Sequence, residues 1–270
     1  MQPSSAFAPE PRVIYEDDDL LAVDKPAGML VHVAIRGQRM EERGQRKEDR
    51  GKRHEGEGRG NTLVDWLLAR YPEIKTVGDD PATRPGIVHR LDRDVSGVML
   101  AAKTQRAFDR LKALFQERKM KKTYLALAVG NVMPRQGTID APIGLVGGTT
   151  RHSVHAAKLQ KAAVTGYRVT RYLKDGAGQP FSLLEVRPET GRTHQIRVHL
   201  ASIGHPIAGD RLYGWKRGKR IEDRGRGRLM LHAAALEWSP APGKRLKIEA
   251  PPPDDFRRSL AALKPLRGSG

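Results

Sequence analysis

Apolar and polar positions first alternate in "RVIYEDDDLLAVDKPAG". Val13–Tyr15 and Leu20–Val23 are two short β-rich runs around the acidic stretch Glu16–Asp19, the pattern of a hairpin. Pro26-Ala27-Gly28 then reads as a turn, with proline at its second position and glycine at its fourth. Helical spacing appears in "NTLVDWLLARYP", where Leu63, Trp66, Leu67 and Tyr71 share one face behind Asn61 or Thr62 as the cap. A second helix follows Thr104 and carries Ala107, Leu111, Leu114 and Phe115 at the same spacing, with Arg118 ending the stripe. "KTYLALAVGNV" and "PFSLLEVRPE" read as strands. "TGRTHQIRVHLASIGHP" reads as a turn and a short helix: Thr193 caps it, Ile196, Leu200 and Ile203 face the core, and Gly204 ends it. A last β-rich piece is "LMLHAAALEWSP". Strands and helices mix without regular βαβ alternation, so the predicted class is α+β. One domain is expected over 13–262, between flexible tails at 1–12 and 263–270.

One stretch fits neither period. Arg36 to Gly60 has Met40 as its only clearly apolar residue and cannot bury enough surface to offset the entropy of ordering, so 36–61 is expected to be a disordered basic insertion. It holds nine Lys/Arg and six Asp/Glu, a net of +3. The whole chain carries +18, which leaves +15 on the rest. The folded part is itself basic and points to a polyanionic partner, RNA, DNA or an acidic membrane, with nucleic acid favoured. There is no cysteine, so disulfides, thiol catalysis and cysteine-ligated metals are excluded. No apolar run is long enough to cross a bilayer, and the N-terminus lacks the basic start and apolar middle of a signal peptide. A cytoplasmic protein is expected.

Several familiar sites are missing: the G-x-x-x-x-G-K-[ST] phosphate loop, the G-x-G-x-x-G dinucleotide turn and the H-E-x-x-H metal pair. His194 and His199 are five apart and do not share a helical face, which favours core or RNA-facing histidines over a metal site. "HRLDRDVSG" (His89–Gly97) resembles a kinase catalytic loop only in part, because the leucine breaks the motif and no D-F-G follows. What stands out there is Asp92, set among arginines. The plain reading is a surface ion pair of little worth. Against it, Leu91, Val95, Val98, Met99 and Leu100 place the segment at the edge of the core, where an unpaired carboxylate is costly. An arginine partner favours the ionised form. A desolvated, positioned carboxylate is either a nucleophile or a base.

Five segments, in order, resemble the RluA-type pseudouridine synthases. They are "DKPAGMLVH" (Asp24–His32), "HRLDRDVSGVMLAAKT" (His89–Thr104), "KTYLALAVG" (Lys122–Gly130), "ETGRTHQIRVHLASIGHPIAGDRLYG" (Glu189–Gly214) and "LMLHAAAL" (Leu229–Leu236). The resemblance implies a single catalytic domain of that kind, with a mixed, mostly antiparallel sheet and flanking helices and loops. It implies cofactor-free isomerisation of uridine to pseudouridine in structured RNA, ribosomal or transfer, without metal, membrane or obligate protein partner, by a monomer. Asp92 is then the essential carboxylate, attacking C1′ or removing the C2′ proton. Tyr124 stacks on the base and assists proton removal at C5, and Arg197 pairs with Asp92. Arg90 enters the RNA stack in place of the extruded uridine; Arg93 meets phosphate; Arg192 is a phosphate or turn contact. Three features depart from the family pattern: Val95 where threonine is usual, the insertion after Ile35, and no room before Val13 for a separate N-terminal RNA-binding domain. The rival readings are a non-catalytic RNA-binding or ribosome-assembly factor on the same fold and a glycosidase-like enzyme that releases the base.

Overall fold

The computed structural model describes residues 10–33, 62–147, 149, 151–155, 158–216, 219–220 and 227–266. The chain opens with the expected hairpin, β1 (Arg12–Glu16) and β2 (Leu20–Lys25). Helix α1 (Leu63–Arg70) follows, then a 3₁₀ turn (Pro72–Thr76), β3 (Ser96–Ala102) and α2 (Gln105–Gln116). Next come β4 (Lys121–Val129) and β5 (Gln136–Asp140). A small three-stranded sheet is made by β6 (Ile143–Leu145), β7 (His152–Ser153) and β8 (Lys158–Lys161). The long strands β9 (Val164–Lys174) and β10 (Pro180–Pro188) lead into α3 (Gln195–Ser202). A two-stranded ribbon, β11 (Trp215–Lys216) and β12 (Lys219–Arg220), precedes β13 (Leu231–Ala241) and β14 (Lys244–Glu249). Helix α4 (Asp254–Ala261) and β15 (Lys264–Pro265) close the chain.

Ten of these strands form one sheet in the order β1-β2-β3-β13-β4-β10-β9-β15, with β14 on β13 and β5 on β9. Only β3 and β13 run parallel; the other pairs are antiparallel. The fold is therefore the mixed, mostly antiparallel α+β architecture expected. The long-range order of the sheet decides what meets at its centre. Ala233 of β13 pairs with Gly97 on one side and Tyr124 on the other. On the far side of β4, Val186 of β10 pairs with Tyr124, and β10 runs on into the turn before α3. Three segments distant in sequence thus converge beside Ala233.

Gly97 permits this approach. Its φ is +118°, and a Cβ there would lie 2.1 Å from the Ala233 carbonyl oxygen. Only glycine lets β3 start so close to β13. Beside it, Arg228 Nη2 donates to Ser96 Oγ (2.9 Å), Ser96 meets His232 Nδ1 (2.9 Å), and His232 Nε2 meets the Ala250 carbonyl (3.0 Å). Ser96 and His232 are fully buried, so this Ser–His pair fastens strands and has no access to a substrate.

Local signals chose the first two helices correctly. Thr62 caps α1 in a capping box: its Oγ1 accepts the Asp65 N–H, and the Asp65 carboxylate accepts the Thr62 N–H. Such a cap contributes about 1 kcal/mol. Thr104 caps α2 through the Ala107 N–H. Other expectations need correction. Arg118 lies beyond α2, with φ +58°, and does not end its stripe. The turn after β2 is centred on Ala27 and Gly28, with φ +89° at Gly28. Thr193 is not the cap of α3: His194 is, in the left-handed region (φ 57°, ψ 19°) and without a side-chain capping bond. Ile196 and Leu200 are buried, but Ile203 is exposed. The C-terminal boundary shifts as well. Leu263 is buried, Lys264–Pro265 pair with β9 and Leu266 packs on the core, so 263–266 are part of the fold. At the other end, Pro11 is already buried and β1 starts at Arg12. The expected insertion at 36–61, and Asn61 as a cap, fall outside the described residues, as do 1–9 and 267–270.

Candidate active site

The segment His89–Asp94 crosses the end of the central sheet just ahead of β3, and buried groups fix its path. His89 Nε2 accepts the Leu100 N–H at 2.9 Å while its ring stacks on Phe115 at 4.6 Å. Burial, with a smaller push from Lys122, lowers its pKa to about 3, so it stays a neutral acceptor. Lys25 has no exposed surface, and its Nζ donates to three carbonyls: Pro26 (2.9 Å), Met29 (2.9 Å) and Arg93 (3.0 Å). The Gly28 N–H bonds the same Arg93 carbonyl at 2.8 Å. Burial pulls the lysine down to about 7, while three carbonyl partners match the three N–H groups of an ammonium and hold the charged form. The "DKPAG" turn thus grips the backbone one residue past Asp92.

His89 makes a pH prediction. Its unfolded pKa is about 6.5 and its folded one about 3. Protonation therefore favours the unfolded chain, and stability present above pH ~6.5 is lost as pH falls towards the folded value. In His89→Gln the amide oxygen can accept the same N–H without titrating. The urea midpoint should then fall less steeply with acidification than in the wild type, and an unchanged slope would show that His89 has no part in it.

Asp92 itself is anchored from α3. Arg197 Nη1 donates to Asp92 Oδ2 at 3.0 Å, while Nε and Nη2 form a two-point bridge to Asp210 at 2.8 and 2.9 Å. The Asp210 side chain is fully buried and also accepts the Leu212 and Tyr213 N–H groups (2.9 and 3.0 Å). Burial alone would lower the pKa of Arg197; the two carboxylates, Asp210 foremost, outweigh it and raise it. The guanidinium lies 5.1 Å from the centre of the Tyr213 ring. Asp92 Oδ1 carries no hydrogen bond among the described residues, and the side chain keeps 21% of its surface exposed.

Asp92 opens into a cavity of about 480 Å³ that Arg90, Tyr124, Arg192, His194 and Arg197 also line, with Arg118 and Lys122. Burial and then the Asp92 charge raise the pKa of Tyr124, so its phenol is neutral. Lys122, two residues before Tyr124 on β4, donates to the Thr190 carbonyl at 3.0 Å, and burial lowers it to about 8. His194 Nε2 stands 3.8 Å from Asp92 Oδ2, and its Nδ1 is 2.9 Å from the Tyr213 hydroxyl.

Five of the six residues singled out by the sequence therefore share one cavity: Asp92, Tyr124, Arg197, Arg90 and Arg192. Arg90 is exposed at its edge and makes no hydrogen bond or ion pair with the described residues. Arg192 Nε donates to the carbonyl of Ala162, between β8 and β9, at 3.0 Å. Arg93 does not line the cavity; its side chain pairs with Asp94 at 3.1 Å on the surface. His199 is core, bonded to Thr165 and the Ala141 carbonyl. Among the described residues no cluster of acids and histidines could hold a metal. Val95, the departure from threonine, is buried in the cavity wall. Sequence reasoning missed the placement of Lys25, His194 and Asp210. The "DKP" and "GD-x-x-Y-G" segments carried that signal, but no local pattern says what they grip.

A family model described as RNA pseudouridylate synthase matches residues 19–202. The chain is 40% identical over 261 residues to an uncharacterized RNA pseudouridine synthase of Mycobacterium bovis, covering 96% of this chain and 73% of that protein. It is 38% identical over 271 residues to the ribosomal large subunit pseudouridine synthase D of Pseudomonas aeruginosa, covering 94% and 72%. Among solved structures, human RNA pseudouridylate synthase domain containing 1 superposes with a TM-score of 0.69 at 27% identity, covering 98% of this chain and 92% of that one.

Proposed function

The chain belongs to the RNA pseudouridylate synthase family and isomerises uridine to pseudouridine in RNA, and on that premise we propose that Asp92 is its catalytic carboxylate. The observation that carries this reading is the Asp210–Arg197–Asp92 chain, which holds one carboxylate oxygen and leaves the other to the cavity. Asp92 acts at the ribose, by attack on C1′ or removal of the C2′ proton. The C1′–N1 bond breaks, the uracil turns, C5 bonds to C1′, and the C5 proton leaves as N1 gains one. Tyr124 stacks on the uracil; as a neutral phenol beside an anion, it passes the C5 proton only by giving up its own. Arg192, Arg118 and Lys122 supply positive charge along the cavity for the phosphates on either side of the uridine.

We further propose ribosomal RNA as the substrate and the cytoplasm as the setting. The support is the 36–38% identity to proteins from four organisms named ribosomal large subunit pseudouridine synthase D. Incubating purified protein with protein-free large-subunit RNA and, separately, with transfer RNA, then mapping pseudouridine, tests this. Modification of transfer RNA alone would overturn it.

Arg90 fits the place left by the extruded base, since its guanidinium is exposed at the cavity edge and unengaged. Flipping a stacked uridine costs a few kcal/mol, and a planar guanidinium can stack in the gap and hydrogen-bond there. Arg90→Ala should therefore slow single turnover most on a stable stem-loop and less on a short flexible strand. Equal losses on both, with a smaller salt slope, would make Arg90 a phosphate contact instead.

A further inference from the structure

We infer that His194 reads the 2′-hydroxyl of the target nucleotide, donating a hydrogen bond to it from Nε2. The inference rests on Asp92 being the group that acts at the ribose. It starts from the tautomer. The Tyr213 hydroxyl oxygen accepts the His152 backbone N–H at 3.0 Å and lies 2.9 Å from His194 Nδ1. If Nδ1 carried the imidazole proton, Tyr213 would accept twice and its own O–H would have no acceptor among the described residues. If Tyr213 donates to Nδ1, all three groups are satisfied, and the neutral ring keeps its proton on Nε2. That N–H stands 3.8 Å from Asp92 Oδ2, too far for a hydrogen bond, on the wall of the cavity.

The backbone makes the placement deliberate. His194 is one of two non-glycine residues with positive φ among the described residues, at the N-cap of α3 and without a capping bond from its side chain. Only glycine takes this conformation without a Cβ penalty, so the position keeps its imidazole at a conformational cost. The ring packs edge-on between His152 and Tyr213, both centred 5.6 Å away, which fixes its direction. Any pose that brings Asp92 to C1′ or C2′ carries O2′ along, because O2′ is bonded to C2′. A fixed donor 3.8 Å from the Asp92 carboxylate then lies within reach of that oxygen. Arg197 is committed to Asp92 and Asp210. Recognition of the 2′-hydroxyl is what separates ribose from deoxyribose at a site.

The test compares two stem-loops that differ only in uridine or 2′-deoxyuridine at the target. Half-saturation in single turnover gives the affinity of the first, and competition gives the inhibition constant of the second. Wild type should prefer the ribose form by about tenfold, equivalent to ~1.4 kcal/mol. His194→Asn suits the backbone but falls short of the Nε2 position, so it should bring the two affinities together. His194→Gln, whose amide nitrogen reaches close to Nε2, should restore part of the preference. Tyr213→Phe should weaken the preference as well, by freeing the tautomer. An unchanged ribose preference in His194→Asn, or equal losses on both RNAs, would overturn the inference. Asp92→Asn turning over at the native rate would instead overturn the catalytic reading, whatever the ribose preference shows.

Discussion

Asp92→Asn is expected to remove isomerisation while leaving RNA affinity and melting temperature close to wild type. The amide fills the same volume, and its oxygen can still accept from Arg197 Nη1, at 3.0 Å in the native pair. Arg197 also keeps its two bonds to Asp210, so no buried cation is orphaned. What goes is the lone-pair basicity and nucleophilicity that both accounts of the ribose step require. Positioned acid–base groups alone contribute about 10²–10⁴-fold, so a loss of at least about 10² is the floor, and background rate is the expectation. The measurement is single turnover at saturating enzyme, with binding followed separately by filter retention. A variant that binds and turns over normally would remove Asp92 from the mechanism. Asp210, sealed beneath Arg197, could not take over the step, which would leave Glu189, the other carboxylate lining the cavity, as the group to test next.

What could be read from the sequence divides by the range of the forces involved. Thr62 was visible as a candidate cap beside Asn61, and the start of a helix after Thr104 was visible too, because a cap is made with residues three positions away. The strands around Tyr124 and Val186 were visible because a buried β-run declares itself by composition. Asp92, Tyr124 and Arg197 were legible through motifs, though nothing local says that Ala233 brings Gly97 and Tyr124 to either side of one strand. Thr193 looked like a cap by residue type, yet His194 took the position, because packing between His152 and Tyr213 favours a conformation that propensity disfavours. Arg93 looked like a phosphate ligand by charge. What charge does not report is its carbonyl, gripped by Lys25 from 68 residues away. Asp210 passed as part of a turn motif, and its partner Arg197 was assigned to Asp92 alone. The two-point bridge shows that Arg197 serves both carboxylates, the buried one more completely.

Asp210→Ala is expected to cost more stability than any substitution on the cavity surface. Removing one member of a buried ion pair and leaving the other uncompensated costs about 3–5 kcal/mol. Here the orphan is Arg197, whose side chain is only 10% exposed. The Leu212 and Tyr213 N–H groups lose their acceptor in the same step. For a chain of this size, about 2–4 °C of melting temperature goes with each kcal/mol, so a fall on the order of 10 °C is expected. The functional loss should be as severe, since a guanidinium released by Asp210 no longer fixes Asp92 from one direction, and the Tyr213 ring beneath it loses its hold as well. Asp210→Asn separates the two effects. Its oxygen can keep one bond to Arg197 and the acceptor for the turn, so most of the melting temperature should return. The second charge is still absent, so Arg197 should orient Asp92 less well and the rate should recover only in part. Thermal denaturation and single turnover on the same two variants test both statements. Wild-type rates in Asp210→Asn would show that the bridge serves stability alone. A wild-type melting temperature in Asp210→Ala would show that Arg197 finds other partners and that the Asp210–Arg197–Asp92 chain is not what holds the catalytic carboxylate in place.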